Sequence, residues 1–337
     1  MNLRDIGFYR CPGTADPLSY GTEEQPGTEE VLTGTLLSPT GHQYEIVKGI
    51  TRFCPVENYA DNFGYQWNRF SKTQIDSMTR FQNRSEERLF RTTQWSRDLQ
   101  GQRLLEAGSG MGRFTEVLAK TGADVWTFDY STAVEANFGN NAKFPNVHFC
   151  QGDIYEPPFE PGSFDKVLCI GVLQHCPSPK RAFMSLARFL KPGGQICIDI
   201  YPLSLKSLFM GKYYIRPVTK RLSRPALCDF VEFQVGWVFP LTRFLYKRIG
   251  RAASALSWGL AVADFRRHVD ADEDTLKQLS LLDTLDMLGP KYDRPRTVRQ
   301  VASWCREAGL ENIEVFQLAN VIARATAPLG LNRPMGL

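Results

Sequence analysis

Apolar and polar positions alternate along this chain with two periods, and the switches between them outline its elements. In 1–57, VLTGTLL and HQYEIVKGITRF carry β-branched and aromatic residues on either side of the turn signal SPTG, which predicts a small β-rich leader. From 58 to 99 the stretches NFGYQWNRFSKTQID and SEERLFRTTQWSRDL are polar and aromatic at helical spacing. A regular alternation follows. QRLLEAG reads as a strand running into a Gly-rich turn, RFTEVLAKTG as a helix ended by Gly, and ADVWTFD as a second strand. STAVEANFGNNA is a helix with Ser131 as its expected cap, NVHFCQGD a third strand and SFDKVLCIGV a fourth. SPKRAFMSLARFL is a helix stopped by KPGG, and QICIDIY is a fifth strand. Strands alternating with helices predict βαβ units and a parallel sheet covered on both faces. Residues 202–290 interrupt the pattern with aromatic, basic, mostly helical sequence, after which TVRQVASWCREAG resumes it ahead of the strand-like runs NIEVFQL and VIARAT.

Composition narrows the class. The 337 residues are 43% hydrophobic and 23% charged, which excludes disorder, collagen-like repeats and a disulfide-dense scaffold for the whole chain. A net charge of +4 is too weak to argue for nucleic-acid binding. MNLRDIGFYR has no apolar signal-peptide region, and no uncharged apolar run approaches the roughly 18 residues of a membrane span. The eight cysteines form no C-x-x-C pair, and several lie inside strand-like runs, so free buried thiols in a reducing cytoplasm are expected.

The chemistry begins at Glu106-Ala-Gly108-Ser-Gly110-Met-Gly112, which follows a strand and opens a helix. Glycines there let the backbone turn sharply and approach a ligand. A dinucleotide site and an S-adenosyl-L-methionine (SAM) site compete. The dinucleotide fingerprint G-x-G-x-x-G fits poorly, because the third glycine comes one residue early and Arg113 stands in its place. Glu106, two residues before the first glycine, would repel a pyrophosphate but suits a ligand ammonium. Asp129 ends the second strand, where a carboxylate can accept ribose hydroxyls, and Asp153 follows the third, where it can take an adenine amino group. Either acid alone is as readily a turn or cap residue; their succession at strand ends is what favours a ligand.

Together LLEAGSGMGRF, VWTFDYS, VHFCQGDIYEPPF, FDKVLCIGVLQHCPSP and FLKPGGQICI resemble the class I SAM-dependent methyltransferase family. The resemblance covers about 100–220 and 295–327. It implies an α/β, doubly wound, mostly parallel, seven-stranded Rossmann-like sheet with an antiparallel last strand. The implied SAM-binding domain is 100–201 with 291–327, covered by the helical segment 58–99 and interrupted by the insert 202–290. By the same resemblance Glu106, Gly108 and Gly110 would hold the methionine part, Asp129 the ribose, and Asp153 with Ile154 the adenine, with Tyr130 a further cofactor-binding candidate. Ile170 and Gly171 would line the methyl-donor side. The leader resembles zinc-ribbon-like domains that precede some such enzymes, but only Cys11-Pro12 survives of its cysteine pairs. Cys11, His42 and Cys54 do not make up a four-ligand set, so the ribbon shape is expected without a metal.

Methyl transfer from a sulfonium needs donor and acceptor aligned and shielded from water; a base is needed only where the acceptor must lose a proton. His175, after the fourth strand, is the candidate base, and the plainer reading is a helix cap or packing beneath the cofactor. Tyr65 is the second catalytic candidate. Tyr65 and Trp67 could shield the sulfonium, or simply pack the leader onto the sheet with Phe63 and Phe70. Gln66 is a candidate hydrogen-bonding group toward donor or acceptor. Tyr65, Gln174, His175, Tyr201 and Tyr292 are the candidate acceptor contacts, with Asp283 joining them if the insert folds back as a lid. His268 reads as a surface residue.

Charge is concentrated in the insert: residues 203–252 hold ten Lys+Arg against two acids. A lid over an anionic or apolar acceptor, contact with anionic lipid, and a homo-oligomer interface are all open. The expectation is a cytoplasmic SAM-dependent methyltransferase acting on a small molecule, with neither nucleic acid nor a transmembrane segment involved. The alternatives are methylation of a lipid, polysaccharide or macromolecule, and a non-catalytic protein that binds SAM or S-adenosylhomocysteine (SAH).

Overall fold

The computed structural model describes residues 1–21, 30–79, 84–203, 210–264 and 272–330, so His268 lies outside the described residues. The leader contributes β1 (Ser19–Tyr20), β2 (Thr33–Leu37), β3 (Gln43–Val47) and β4 (Ile50–Arg52), and two helices follow, α1 (Asp61–Arg69) and α2 (Arg84–Thr93). The alternating region supplies β5 (Arg103–Ala107), α3 (Arg113–Ala119), β6 (Asp124–Asp129), α4 (Ala133–Asn141) and β7 (Val147–Gln151). It continues through β8 (Phe164–Cys169), α5 (Pro179–Ala187) and β9 (Leu190–Ile200). The insert holds α6 (Lys212–Thr219), α7 (Arg224–Ile249), α8 (Arg251–Gly259) and α9 (Glu273–Leu288), and the chain closes with α10 (Val298–Glu307), β10 (Glu311–Gln317) and β11 (Val321–Thr326).

Among the described residues eleven strands form one sheet, ordered β1-β2-β3-β4-β7-β6-β5-β8-β9-β11-β10. From β4 to β9 the pairings are parallel, and β11 runs antiparallel to both β9 and β10. The sheet winds outward in both directions from β5, so the strand order reverses between β5 and β8, where open α/β sheets bind ligands. Eleven strands correct the expected seven. The cause is β4, which adds in parallel to β7 with Thr51 opposite Cys150 and Arg52 opposite Gln151. Arg52 fixes that junction by donating to Gln151 Oε1 at 3.0 Å and pairing with Glu135 at 2.7 Å. The leader therefore continues the sheet edge instead of standing apart as a ribbon. Its thiols act separately: Cys11 Sγ lies 3.2 Å from Tyr44 Oη, and Cys54 Sγ donates to Tyr130 O at 3.8 Å.

Burial explains the strand composition. Leu104, Leu105, Val125, Phe128, Val167, Cys169, Ile198 and Ile200 are all essentially inaccessible, as parallel strands covered on both faces require. Helix α4 starts after Thr132, whose side chain makes no cap bond; the Ser131 hydroxyl accepts Ala133 N at 3.2 Å and donates to Asp129 Oδ1 at 2.7 Å.

The insert has its own core, in which Leu227, Val231, Val235 and Val238 of α7 pack with Leu285 and Leu288 of α9. A buried ion pair, Lys212–Asp293 at 2.7 Å, and Arg216, which donates to Met287 O (2.6 Å) and Pro290 O (2.8 Å), tie it to the segment after α9. The other side of α7 exposes Phe233, Trp237, Leu241 and Phe244. Among the described residues no helix is long and apolar enough to cross a membrane.

Candidate active site

The turn after β5 bends through Gly108, Ser109, Gly110, Met111 and Gly112 with all three glycines at positive φ (+76°, +55° and +87°). A side chain at 108 would overlap Val172, and one at 112 would overlap Asn137 and Asn141, so close packing as well as conformation demands glycine there. Gly108 N and Ser109 N donate to Phe128 O (2.8 and 3.1 Å), which aligns the turn with the end of β6.

Glu106 lies one layer beneath this turn. Its Oε2 accepts from Thr115 Oγ1 (2.5 Å) and Thr127 Oγ1 (2.9 Å), and Asn137 Nδ2 donates to both threonines at 3.0 and 3.3 Å. Burial pushes the carboxyl up to about 7, against the two hydroxyls, which favour its charged form. Glu106 thus pins β5, β6, α3 and α4 together, and it does not line the cavity above.

That cavity, about 1160 Å³, opens over the C-terminal ends of β5, β6, β8 and β9. Gly108, Ser109, Gly110, Asp129, Tyr130, Ile154, Ile170, Gly171 and Trp67 all line it. Asp129 is the most engaged of them: Gly110 N donates to Oδ2 (2.8 Å), and Ser131 N and Oγ donate to Oδ1 (2.8 and 2.7 Å). Burial raises its pKa, opposed by those same donors. Asp153 stands behind Ile154 and accepts Tyr155 N at 2.9 Å, outside the cavity lining.

His175 and Tyr201 form the wall past β8 and β9. His175 Nδ1 is 3.1 Å from Tyr292 O, and its Nε2 is buried without a hydrogen-bond partner. A carbonyl only accepts, so Nδ1 carries the proton and Nε2 keeps its lone pair. Burial lowers the imidazole below its ordinary pKa, more than nearby Asp286 raises it. Phe63 packs on this ring at a tilt of 58° and Tyr201 edge-on at 85°, with centroids 4.9 and 5.6 Å away. Tyr201 Oη donates to Asp286 Oδ2 at 2.9 Å, and Asp286 and Asp283 both line the cavity from α9.

Other sequence candidates fall elsewhere. Phe63 and Trp67 share one face of α1, whereas Tyr65, two residues after Phe63, turns to the opposite face and is 38% exposed outside the cavity. This removes Tyr65 from both the catalytic and the acceptor sets. Gln66 is buried against α9, its Nε2 donating to Leu282 O at 3.4 Å. Gln174 is fully buried beneath His175, with both amide atoms unpartnered, and Arg294 N donates to its backbone oxygen at 2.8 Å. Tyr292 acts through its carbonyl, and its ring packs on Tyr59 with centroids 5.6 Å apart.

Among the cavity residues that the sequence reading did not single out are Asp199, Arg88 and Arg113. Asp199, near the end of β9, accepts Gly171 N (2.6 Å), Arg88 Nη2 (3.0 Å) and Asn320 Nδ2 (2.9 Å), joining two loops and α2 at the cavity wall. The strand-end rule that marked Asp129 applies equally to it. Arg88 and Arg113 carried no local signal, because sequence periodicity does not tell which neighbour a helix face meets. Arg113 donates only to neutral partners, Gln74 Oε1 (2.5 Å) and Ser85 Oγ (3.2 Å). Burial, then the neighbouring Arg88 and Arg84, lowers its pKa to about 9.

Residues 105–198 match the family model described as a methyltransferase domain. The ubiquinone biosynthesis O-methyltransferase of Paracidovorax citrulli is 33% identical over 117 residues, covering 34% of this chain and 49% of that protein. The demethylmenaquinone methyltransferase of Renibacterium salmoninarum is 34% identical over 98 residues, covering 29% of this chain and 40% of that one. The chain spans about half the length, or less, of these curated relatives. Among solved structures, magnesium protoporphyrin IX methyltransferase from Synechocystis PCC 6803 with bound SAH aligns at a TM-score of 0.43 and 14% identity, over 80% of this chain and 96% of that one.

Proposed function

We propose, from a segment 105–198 that belongs to the methyltransferase-domain family, that this protein transfers a methyl group from SAM to a hydroxyl of a small-molecule acceptor. The residues present fit the donor. Asp129 takes three hydrogen bonds where a carboxylate offers about four lone-pair sites, which leaves room for a ribose hydroxyl. Ser109 and His175 both line this cavity, and Ser109 Oγ and His175 Nε2 are buried without a partner among the described residues. Gly108, Ser109 and Gly110 would hold the methionine part, Asp129 and Tyr130 the ribose, and Ile154 the adenine, with Ile170 and Gly171 along the methyl side. When bound, SAM supplies a methyl activated by its sulfonium for in-line displacement.

The single observation that carries the reading is His175. Its Nδ1–H is fixed on Tyr292 O, so the buried Nε2 keeps its lone pair on a residue that lines the cavity, and on this reading it takes the acceptor hydroxyl's proton as the oxygen attacks. A lowered pKa keeps the ring neutral at pH 7, as a base must be. Phe63 and Tyr201 exclude water around it. The relatives named for O-methyl transfer in ubiquinone biosynthesis support an oxygen acceptor on a small aromatic molecule. Eight free cysteines support a reducing, cytoplasmic setting.

His175→Asn is the test, because the amide keeps a donor toward Tyr292 O and loses Nε2. With methyl-labelled SAM and demethylated hydroquinones or a metabolite extract, turnover should fall about 10²- to 10⁴-fold while SAM affinity stays unchanged. The wild-type acid limb should lie below pH 6.5, since burial lowers the His175 pKa from that value. Equal losses of binding and turnover would return His175 to a structural role.

A further inference from the structure

The wall that α9 presents to the cavity offers lone pairs and almost no donors. Asp283 and Asp286, one helical turn apart, both line it. Asp286 receives the Tyr201 hydroxyl, but Asp283 accepts no hydrogen bond from any described residue. The cations on the facing wall are committed elsewhere: Arg88 pairs with Asp199 at 3.0 Å, and Arg113 donates to Gln74 and Ser85. No ion pair joins Arg88 or Arg113 to Asp283 among the described residues. His175, 7% exposed, lines the same cavity, and its buried Nε2 has no hydrogen-bond partner among the described residues.

Asp283 is partly buried and takes no donor from the described residues, so a ligand that supplies one is favoured there. Burial, then the neighbouring Asp286, pushes Asp283 up to about 7, against the smaller pulls of Arg113, Arg88 and Arg84. Glu106, the acid that the sequence assigned to a ligand ammonium, is spent on Thr115 and Thr127 below the cavity floor.

We propose that Asp283 is the seat for a ligand ammonium group, supplied either by the α-amino group of the donor or by an amine on the acceptor. The insert then completes the ligand site as well as covering it. This assignment rests on the methyltransferase reading for its first source, and stands on the cavity alone for its second.

Calorimetry on wild type and Asp283→Asn separates the outcomes. The probes are SAH, its analogue with hydroxyl in place of the α-amino group, phenethylamine and 2-phenylethanol; the last two suit walls built of Phe63, Tyr201 and Trp258. A donor source predicts that D283N weakens SAH about 10- to 100-fold and leaves the hydroxy analogue unchanged. An acceptor source predicts unchanged SAH affinity, with wild type, SAH-loaded or free, preferring amine over alcohol about 10-fold or more and D283N losing that preference. If D283N alters neither the SAH affinity nor the amine preference, the seat is overturned. Failure of SAH to bind wild type would sink the methyltransferase reading instead, and the amine pair on the ligand-free protein would still decide the seat. The variant removes no internal hydrogen bond, so its melting temperature should not fall; Asp283→Ser repeats the test should the amide distort α9.

Discussion

His148 of β7 joins the first turn of the chain to the start of β6, and that contact should make stability depend on pH in one direction. Its Nδ1 lies 3.0 Å from Asp5 Oδ1, and its Nε2 lies 2.9 Å from Asp124 Oδ1. Two carboxylates on two ring nitrogens require both nitrogens to donate, so the ring is an imidazolium, stacked 4.3 Å from Trp126. Burial alone would lower its pKa, but the hydrogen bonds to Asp124 and Asp5 outweigh burial and lift it to about 9. From an ordinary value of 6.5, that rise is worth about 3 kcal/mol at 1.36 kcal/mol per decade. The Asp124 side chain is 37% exposed, so water weakens its half of the contact and about 2 kcal/mol is the better expectation. A raised pKa stabilises the folded state fully below 6.5, and the gain is lost as pH climbs through about 9. Urea unfolding of wild type and His148→Gln should therefore differ by about 2 kcal/mol at pH 6 and converge by pH 10. Glu106 and Asp283, which also titrate near neutrality, are present in both proteins and cancel. A difference that stays constant from pH 6 to 10 would refute the imidazolium.

Two further substitutions probe the site and its support. Asp129→Ala removes the acceptor for Gly110 N and for the proposed ribose hydroxyl, so SAM affinity should fall about 10- to 100-fold by calorimetry; near-unchanged binding would remove Asp129 from the donor site. Lys212→Met leaves Asp293 buried without its cation beside the segment that carries Tyr292, and should cost about 3–5 kcal/mol. Adding Asp293→Leu should restore most of that loss, and a single variant as stable as wild type would show that the pair contributes nothing.

Local signals in the chain carried much of the site. The turn Gly108–Gly112 was legible because glycine alone tolerates those backbone angles and contacts, and Asp129 because a strand end fixes where its side chain emerges. Ser131 was legible only in part, since its hydroxyl accepts the first N–H of α4 and also donates to Asp129, and the second role depends on the neighbouring β6. Helix α1 was ambiguous for a different reason. Aromatic residues occur on several of its faces, so periodicity separates Tyr65 from Phe63 and Trp67 without telling which side meets the cavity.

By itself, then, the sequence determined the elements, the parallel α/β class and the glycine turn with its strand-end acids, all of which follow from neighbours a few residues apart. Tertiary structure alone decided the rest. It brought β4 beside β7 across about a hundred residues of chain, committed Glu106 to a buried threonine network, and set Asp283 and Asp286 of the insert opposite Arg88 and Arg113. Those outcomes depend on which surfaces meet after packing. A carboxylate that reads the same in sequence becomes a structural tie at Glu106, a loop clamp at Asp199 and an unpaired wall of the cavity at Asp283, according to the donors that packing brings within reach.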